Sequence, residues 1–424
     1  MKAAREESRG KKSIRGNNKE EVVNSQKLII TEVGVLTAAG QTTEERMSIE
    51  ERAQMQLHAL YRRYGYSRYK MDKFEEYELY LQNRDFIDSE DIIAFRDGNG
   101  HLMALKPDLT LSIVKNERHD QGCTQKVFYS ENIYRSDRET RAHREIMQTG
   151  LECIGDLDLY QIAEVTMLAA ESLEAVSGDY VLQVSHMGVL KDLMRDISDD
   201  QTKESITKCI GEKNPHELRS VAEAGGVESS LIDVLERLVS AYGSWEEVAP
   251  VLEKLPLSAE GKAAVRELEG VFDVLRADGL DQNVRIDFSM VNDMTYYSGI
   301  CFQGFVNGVP HSVLSGGEYD PLMKRMNKEG GAIGFAVYLD YLDRLSSEKT
   351  DTDVLLLYTE KDSPADVYSA ASRIIFRGNS VLVQRHVPES LRYGRIEYVS
   401  KEDRAVLQDE VEKAEKENGK EASR

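Results

Sequence analysis

Two apolar runs, residues 126–134 and 145–154, flank the heptapeptide Arg135-Ser136-Asp137-Arg138-Glu139-Thr140-Arg141. Each run has the length of a strand, and the segment between them is too polar to continue either, so the three read as strand, loop and returning strand. An antiparallel pair of this length needs apolar elements to cover at least one face. The flanking sequence supplies them. Over residues 47–64, Met55, Leu57, Leu60, Tyr61 and Tyr64 recur at three- and four-residue steps and stop at Gly65, the pattern of an amphipathic helix with a glycine end. Residues 92–95 and 101–105 flank Asp97-Gly98-Asn99-Gly100, a hairpin signal in which Asn-Gly supplies the positive φ angles of a tight turn.

Further along, residues 159–175 have helical spacing, and residues 186–280 are rich in Leu, Glu, Lys and Ala with few strand signals. Strand character returns at 284–288, 299–306 and 311–314. Ser315-Gly316-Gly317 then reads as a turn before a helix at 319–326, and the apolar stretch 331–337 runs into a helix at 338–345. After residue 351 the pattern becomes strand, helix, strand at 354–358, 364–376 and 380–384, a βαβ signature. The expected division is a disordered tail over 1–46 and a core over 47–185 and 281–350, interrupted by a helical insertion at 186–280. A small or truncated α/β domain at 351–400 and a charged tail at 401–424 complete it. Antiparallel strands bordered by long helices make the fold class α+β.

Composition narrows the function classes. No run approaches the ~20 apolar residues of a membrane span, and the basic first twenty residues lack the apolar centre of a secretory signal. The four cysteines, Cys123, Cys153, Cys209 and Cys301, show no CxxC or CxH spacing, so reduced, cytoplasmic thiols are expected rather than disulfides or zinc. A net charge of −21 disfavours binding a polyanion by bulk electrostatics, although a local basic groove can coexist with it. GxxxxGK[ST], GxGxxG after a strand and HExxH are all absent, and the eight histidines have no paired spacing. No metal or cofactor is expected. His143, in the charged loop, and His186, before Met187-Gly188, read as structural or exposed.

Three segments place polar side chains on apolar strands, where burial demands a reason. In Leu105-Lys106-Pro107-Asp108-Leu109-Thr110, Asp108 and Thr110 share a side if the segment is extended; the competing reading is an Asx-type turn after the proline. In Met147-Gln148-Thr149-Gly150-Leu151-Glu152, Gln148, Gly150 and Glu152 lie on one face, with the glycine leaving space between two polar walls. A buried Glu there calls for a cationic ligand group, and an exposed sheet face is the alternative. In Asn292-Asp293-Met294-Thr295-Tyr296-Tyr297-Ser298-Gly299, the tandem tyrosines can wall a small aromatic ligand, or be ordinary strand neighbours.

In this order the segments resemble the class II aminoacyl-tRNA synthetase core, specifically histidyl-tRNA synthetase and its paralogues, the ATP phosphoribosyltransferase regulatory subunits. The resemblance spans about residues 47–345. Residues 105–110 are similar to the family's Arg-Pro-Glu-Gly-Thr, 132–141 with 145–155 to motif 2, 290–299 to Arg-Gly-Leu-Asp-Tyr-Tyr, and 331–345 to motif 3. It implies an antiparallel sheet core and a histidine pocket of Asp108, Thr110, Gln148, Glu152, Tyr296 and Tyr297, with Arg135 a further possible ligand contact.

The departures point away from catalysis. Asn292 and Asp293 stand where the histidine-specific Arg and its Gly are expected, and Tyr338-Leu339-Asp340-Tyr341 replaces the motif 3 Gly-Leu-Glu-Arg. In motif 2 Arg135 is kept, but its partner acid is Asp137 after Ser136. Arginines stabilise the charge of adenylation, and losing one such cation costs ~10²–10³ in rate by analogy with oxyanion donors. Glu318, in Ser315-Gly316-Gly317-Glu318-Tyr319-Asp320, is an acid where a neutral or basic residue is expected. The resemblance therefore implies a subunit with no catalytic residues, no cofactor and no tRNA, which dimerises and assembles with the short-form catalytic subunit of ATP phosphoribosyltransferase under L-histidine as effector. An active histidyl-tRNA synthetase and an orphan histidine-binding paralogue are the other classes it allows.

Overall fold

The computed structural model describes residues 47–84, 86, 92–117, 122–136, 142–291, 296–345, 350–388 and 391–421. The expectations for residues 1–46, the loop residues 137–141 and the segment 292–295 lie outside these. The chain divides into two compact units, one over Ser48–Ser347 and one that includes Glu348–Arg424.

The strands are β1 (Ser67–Arg68), β2 (Phe74–Glu76), β3 (Ala94–Arg96), β4 (Leu102–Leu105), β5 (Thr124–Ser136), β6 (His143–Gly155), β7 (Tyr180–His186), β8 (Tyr242–Gly243), β9 (Val284–Asp287), β10 (Ile300–Val306), β11 (Leu314–Glu318), β12 (Gly331–Tyr338), β13 (Thr352–Leu357), β14 (Val381–Gln384) and β15 (Tyr393–Tyr398). Nine form one sheet in the order β1-β5-β6-β12-β11-β10-β7-β9-β8. The β1–β5 and β7–β9 neighbours are parallel and the rest antiparallel. The expected α+β fold is the one observed.

Residues opposite one another in a ladder share a face, so the register divides the sheet. Phe128, Leu151, Phe335, Gly316, Phe302 and Val184 form one row across β5, β6, β12, β11, β10 and β7. This face is apolar and carries the helices. Helix Leu159–Val176 starts at a reciprocal Asp158–Gln161 cap and lays Leu173 over Gly304. Helix Ile49–Arg63, capped by Ser48 and Glu51, buries Ala53, Leu57, Leu60 and Tyr61 in the same core. The opposite face, through Glu152, Gly334, Gly317, Cys301 and Ser185, and through Tyr129, Gly150, Ala336, Ser315, Gln303 and Gln183, is polar and small.

Several local expectations need correcting. Arg135 and Ser136 extend β5 and His143 begins β6, because pairing continues to Ser136↔His143 despite the polar side chains. Thr110 does not lie on an extended segment: it starts helix Thr110–Asn116, and Asp108 Oδ1 accepts the Leu111 N–H at 3.0 Å, so the Asx-type alternative is the one realised. Ser315, Gly316 and Gly317 lie inside β11 rather than in a turn. Both flanks of β11 are paired, which leaves no room for the chain to reverse there. In the first hairpin only Gly100 takes a positive φ; Asp97 Oδ1 accepts the N–H groups of Asn99 and His101, both at 2.8 Å, and so closes a wider turn. Tyr338 belongs to β12, and the chain then enters a 3₁₀ helix, Leu339–Leu345. Between residues 186 and 280 the chain is mainly helical, yet it also places β8 on the sheet edge.

In the other unit β13 pairs in parallel with both β14 and β15. Helix Pro364–Phe376 packs Ala370, Ala371 and Ile374 against Val354 and Leu356. The charge run from Lys401 is not a tail but helix Lys401–Glu421, whose Leu407 and Val411 bury against Leu355 and Leu357 on the opposite face. Sequence reading missed it because two apolar residues four apart carry too little periodicity amid so many charges.

Candidate functional site

The polar face of the large sheet is floored by small residues for a geometric reason. At Gly334, directly across the ladder from Glu152, a Cβ would stand 1.7 Å from Glu152 Oε2; at Gly150 it would stand 2.2 Å from the Phe335 carbonyl and 2.6 Å from the Tyr129 hydroxyl. The Glu152 carboxyl lies flat over β12 because no side chain rises there.

Glu152 is 2% exposed. Its Oε1 accepts the Thr110 hydroxyl at 2.9 Å and its Oε2 the Tyr319 hydroxyl at 2.6 Å. Tyr296 hydrogen-bonds the Thr110 hydroxyl, which makes a chain from Tyr296 through Thr110 to Glu152. Among the described residues no Lys, Arg or His forms an ion pair with Glu152. Burial pushes its pKa up to about 8; the Tyr319 and Thr110 hydroxyls oppose the rise and the charge of Asp108 adds to it. Asp108 is also raised by burial, against the Leu111 N–H, the Arg135 guanidinium and the Thr110 N–H. Burial first, and then the acids, push Tyr129, Tyr296 and Tyr319 well above the usual tyrosine range, so all three remain protonated donors.

Of the residues singled out in the sequence, Asp108, Thr110, Glu152 and Tyr296 therefore come together. Gln148 is buried, on the face of β6 shared with Gly150 and Glu152, opposite Tyr338 of β12. Arg135 approaches from β5, its Nε donating to the Pro107 carbonyl at 2.9 Å, which sets its charge beside Asp108. Tyr297 stands edge-on to Tyr296, with ring centroids 4.9 Å apart, but it also borders a cavity of about 210 Å³ lined by Gln183, Ser289, Cys301, Gln303 and Ser315. The tyrosines occupy a bend ahead of β10 rather than a strand. His186 is structural: Nδ1 accepts the Gly188 N–H at 3.0 Å and caps helix Met187–Leu193.

Two members escaped the sequence. Tyr129 faces Gly150 across the β5–β6 ladder, and Tyr319 follows β11 directly. Register alone could have revealed the first, whereas Tyr319 lay within a segment already noted. Beyond Gln148, Tyr341 joins an aromatic group with Tyr338 at 5.6 Å and His311 at 5.7 Å, and Tyr338 shares a hydrogen bond of 2.9 Å with Ser315. Tyr341 thus puts a ring, not a cation, beside the sheet.

A family model described as Histidyl-tRNA synthetase matches residues 41–342. The ATP phosphoribosyltransferase regulatory subunit of Oceanobacillus iheyensis is 26% identical over 338 residues, 78% of this chain and 83% of that protein. The same fold occurs in an ATP phosphoribosyltransferase regulatory subunit/histidyl-tRNA synthetase from Bacillus halodurans, with TM-score 0.66 and 22% identity over 82% of this chain and 93% of that one. It also occurs in an ATP phosphoribosyl transferase (HisG:HisZ) complex from Thermotoga maritima, with TM-score 0.54 and 18% identity over 68% and 96%. With a match across most of its length and the sheet order that carries it, the chain belongs to the histidyl-tRNA synthetase family.

Proposed function

We propose that this chain is a regulatory subunit of ATP phosphoribosyltransferase that binds L-histidine in the Glu152 pocket and performs no aminoacylation. The observation that carries the reading is the acid pair itself: Glu152 and Asp108 lie within one charge field, the hydrogen bonds to Glu152 among the described residues come from hydroxyls, and the ring of Tyr296 packs beside that of Tyr319, which holds the carboxyl. A ligand with an ammonium or imidazolium group offsets that charge, and an aromatic ring fits the tyrosines. Gln148, Thr110 and Tyr297 complete the polar wall. The similar proteins named as regulatory subunits support the same assignment. Partnership with a short-form catalytic subunit follows from it, with work in the cytoplasm. No helix among the described residues is long and apolar enough to cross a membrane.

The departures from a working synthetase support binding without turnover. Tyr341 stands where motif 3 is expected to offer an arginine. Within the site, the retention of Arg135 beside Asp108 favours the alternative of an active histidyl-tRNA synthetase. Self-association is part of the proposal. The three-stranded sheet β2-β4-β3 exposes Phe74 (51%) and Phe95 (37%) side by side, with ring centroids 5.2 Å apart, an apolar face suited to a second copy. The division of the core by an insertion at 186–280 belongs to the proposal too.

The test joins titration calorimetry with L-histidine to pyrophosphate exchange. Saturable binding with no ATP-dependent exchange supports the proposal. Exchange above a no-enzyme control, after contaminating host synthetase is removed, overturns it in favour of the synthetase.

A further inference from the structure

Glu318 ends β11 one residue before Tyr319, so a single backbone step joins the pocket to a second buried cluster. The Glu318 side chain is 8% exposed and its Oε2 accepts the Ile300 N–H at 2.5 Å. Its backbone carbonyl accepts the Ser298 N–H at 2.8 Å and the Ser298 hydroxyl at 3.3 Å. These bonds straddle Gly299, where a Cβ would stand 1.9 Å from Glu318 Oε2. The bend that carries Tyr296 and Tyr297 is thereby pinned to β11 at its downstream end.

The Glu318 carboxyl also lies within interaction range of the carboxyl of Glu267, from helix Ala259–Asp278. Glu267 Oε1 lies 3.2 Å from His186 Nε2, and because His186 Nδ1 already accepts the Gly188 N–H, the ring proton sits on Nε2 and points at Glu267. Two carboxyl groups in contact can share a hydrogen bond only while one of them keeps its proton. The histidine supplies a donor to Glu267, so Glu318 is the group that holds the proton.

We propose that Glu318, kept protonated against Glu267, is a positioning residue that fixes the Tyr296–Tyr297 pair in the ligand pocket and ties that pair to helix Ala259–Asp278. The inference rests on reading the pocket as a histidine site. The role belongs to this chain, whose acid replaces the neutral or basic residue expected at that position. Burial pushes Glu318 up to about 8, the charges of Glu267 and Asp320 add to the rise, and the Ile300 N–H opposes it. Among the described residues, the polar groups around the bend include His186, the Cys301 thiol on β10, Gln183, Ser289, Gln303 and Ser315 beside Tyr297, and Lys191, whose Nζ donates to the Tyr297 carbonyl at 2.9 Å and feels the field of Cys301. As pH rises through the Glu318 value, the Glu318 carboxyl ionises, its bond to Glu267 is lost, and the two acids separate.

Calorimetric titration of the full chain with L-histidine tests this. Glu318→Ala is expected to weaken binding ~10-fold at pH 7, by loss of the tie. Glu318→Gln is expected to recover most of that loss, because a carboxamide still donates to Glu267 and accepts from Ile300. Between pH 7 and pH 9 the wild type should lose ~10-fold relative to Glu318→Gln. Taking this ratio cancels the titration of Glu152 and of the ligand's own amine, and the comparison needs no alanine variant. A ratio constant with pH, or wild-type affinity in Glu318→Ala, overturns the proposal. If L-histidine binds none of these proteins, the histidine reading fails by itself, and hydrogen exchange at the Ile300 amide of the ligand-free chain decides the positioning role. Faster exchange in Glu318→Ala that is restored in Glu318→Gln supports it; unchanged exchange in Glu318→Ala overturns it.

Discussion

Glu152 is almost wholly removed from water, and that burial raises its pKa to about 8, against two hydroxyl donors and with a smaller push from the charge of Asp108. Each pKa unit corresponds to ~1.4 kcal/mol, so keeping this carboxylate ionised without a ligand costs on the order of 5 kcal/mol. The sign comes from proton linkage. The folded chain retains a proton that the unfolded chain has released above pH 4.5, so stability falls as pH rises from that value to about 8 and levels off beyond it. Glu152→Gln removes the titration, and its stability relative to wild type should rise steadily between pH 5 and pH 8 in urea unfolding. A constant difference over that range would show that Glu152 does not titrate there. Tyr319→Phe has the opposite effect: one donor to the carboxylate is lost, which costs ~1–3 kcal/mol near pH 8 and less near pH 5, where the carboxyl is protonated. Equal losses at both pH values would mean that the hydroxyl acts through packing.

The strands explain which parts of this site were legible in the sequence and which were not. Gln148, Gly150 and Glu152 could be placed on one face because strand period is fixed at two. Tyr129, opposite Gly150, could not, because register between strands is a tertiary property. Asp108 and Thr110 reached the pocket by a route the sequence left open, a capped helix start instead of an extended run, so the residues were right where the geometry was not. Tyr341 kept its place on the helix expected at 338–345, which is a 3₁₀ helix and begins one residue later, at Leu339. The β6–β12 ladder makes its own prediction. Gly334→Ala drives a methyl against Glu152 Oε2 and to within 2.5 Å of the Leu151 carbonyl, and a carbonyl in a central ladder cannot move aside. Overpacking of this kind costs ~1–3 kcal/mol, and the displaced carboxyl should abolish calorimetric histidine binding even where the chain still folds. Retained binding at wild-type affinity would remove β12 from the pocket floor. Tyr341→Arg, by contrast, restores only one of the two missing cations and should leave pyrophosphate exchange undetectable.

For the whole molecule the question is whether ligand binding changes anything beyond the pocket. A ligand that binds two arrangements of a complex equally regulates nothing, however tightly it binds; regulation requires a difference, and that difference is reciprocal at equilibrium. The pocket has mechanical outlets. Glu152 shares β6 with Met147, whose N–H donates to Asp340 of the 3₁₀ helix Leu339–Leu345 at 3.3 Å, and Tyr319 follows a strand bonded to both β10 and β12. Tightening the pocket therefore pulls on elements that reach the surface. In an assembled phosphoribosyltransferase a coupling of ~1–3 kcal/mol, the usual range, moves the half-inhibiting histidine concentration about 5- to 150-fold. The decisive measurement is phosphoribosyl transfer by the reconstituted complex as a function of histidine, with wild-type and Glu152→Ala subunits at saturating assembly. Loss of a charge-assisted contact worth ~1.5–3 kcal/mol should shift the inhibition curve to at least ~10-fold higher histidine without changing the uninhibited rate, because Glu152 contacts ligand rather than partner in this proposal. Superimposable curves from a variant that no longer binds histidine in isolation would locate feedback inhibition on the catalytic subunit and leave this chain an activating scaffold.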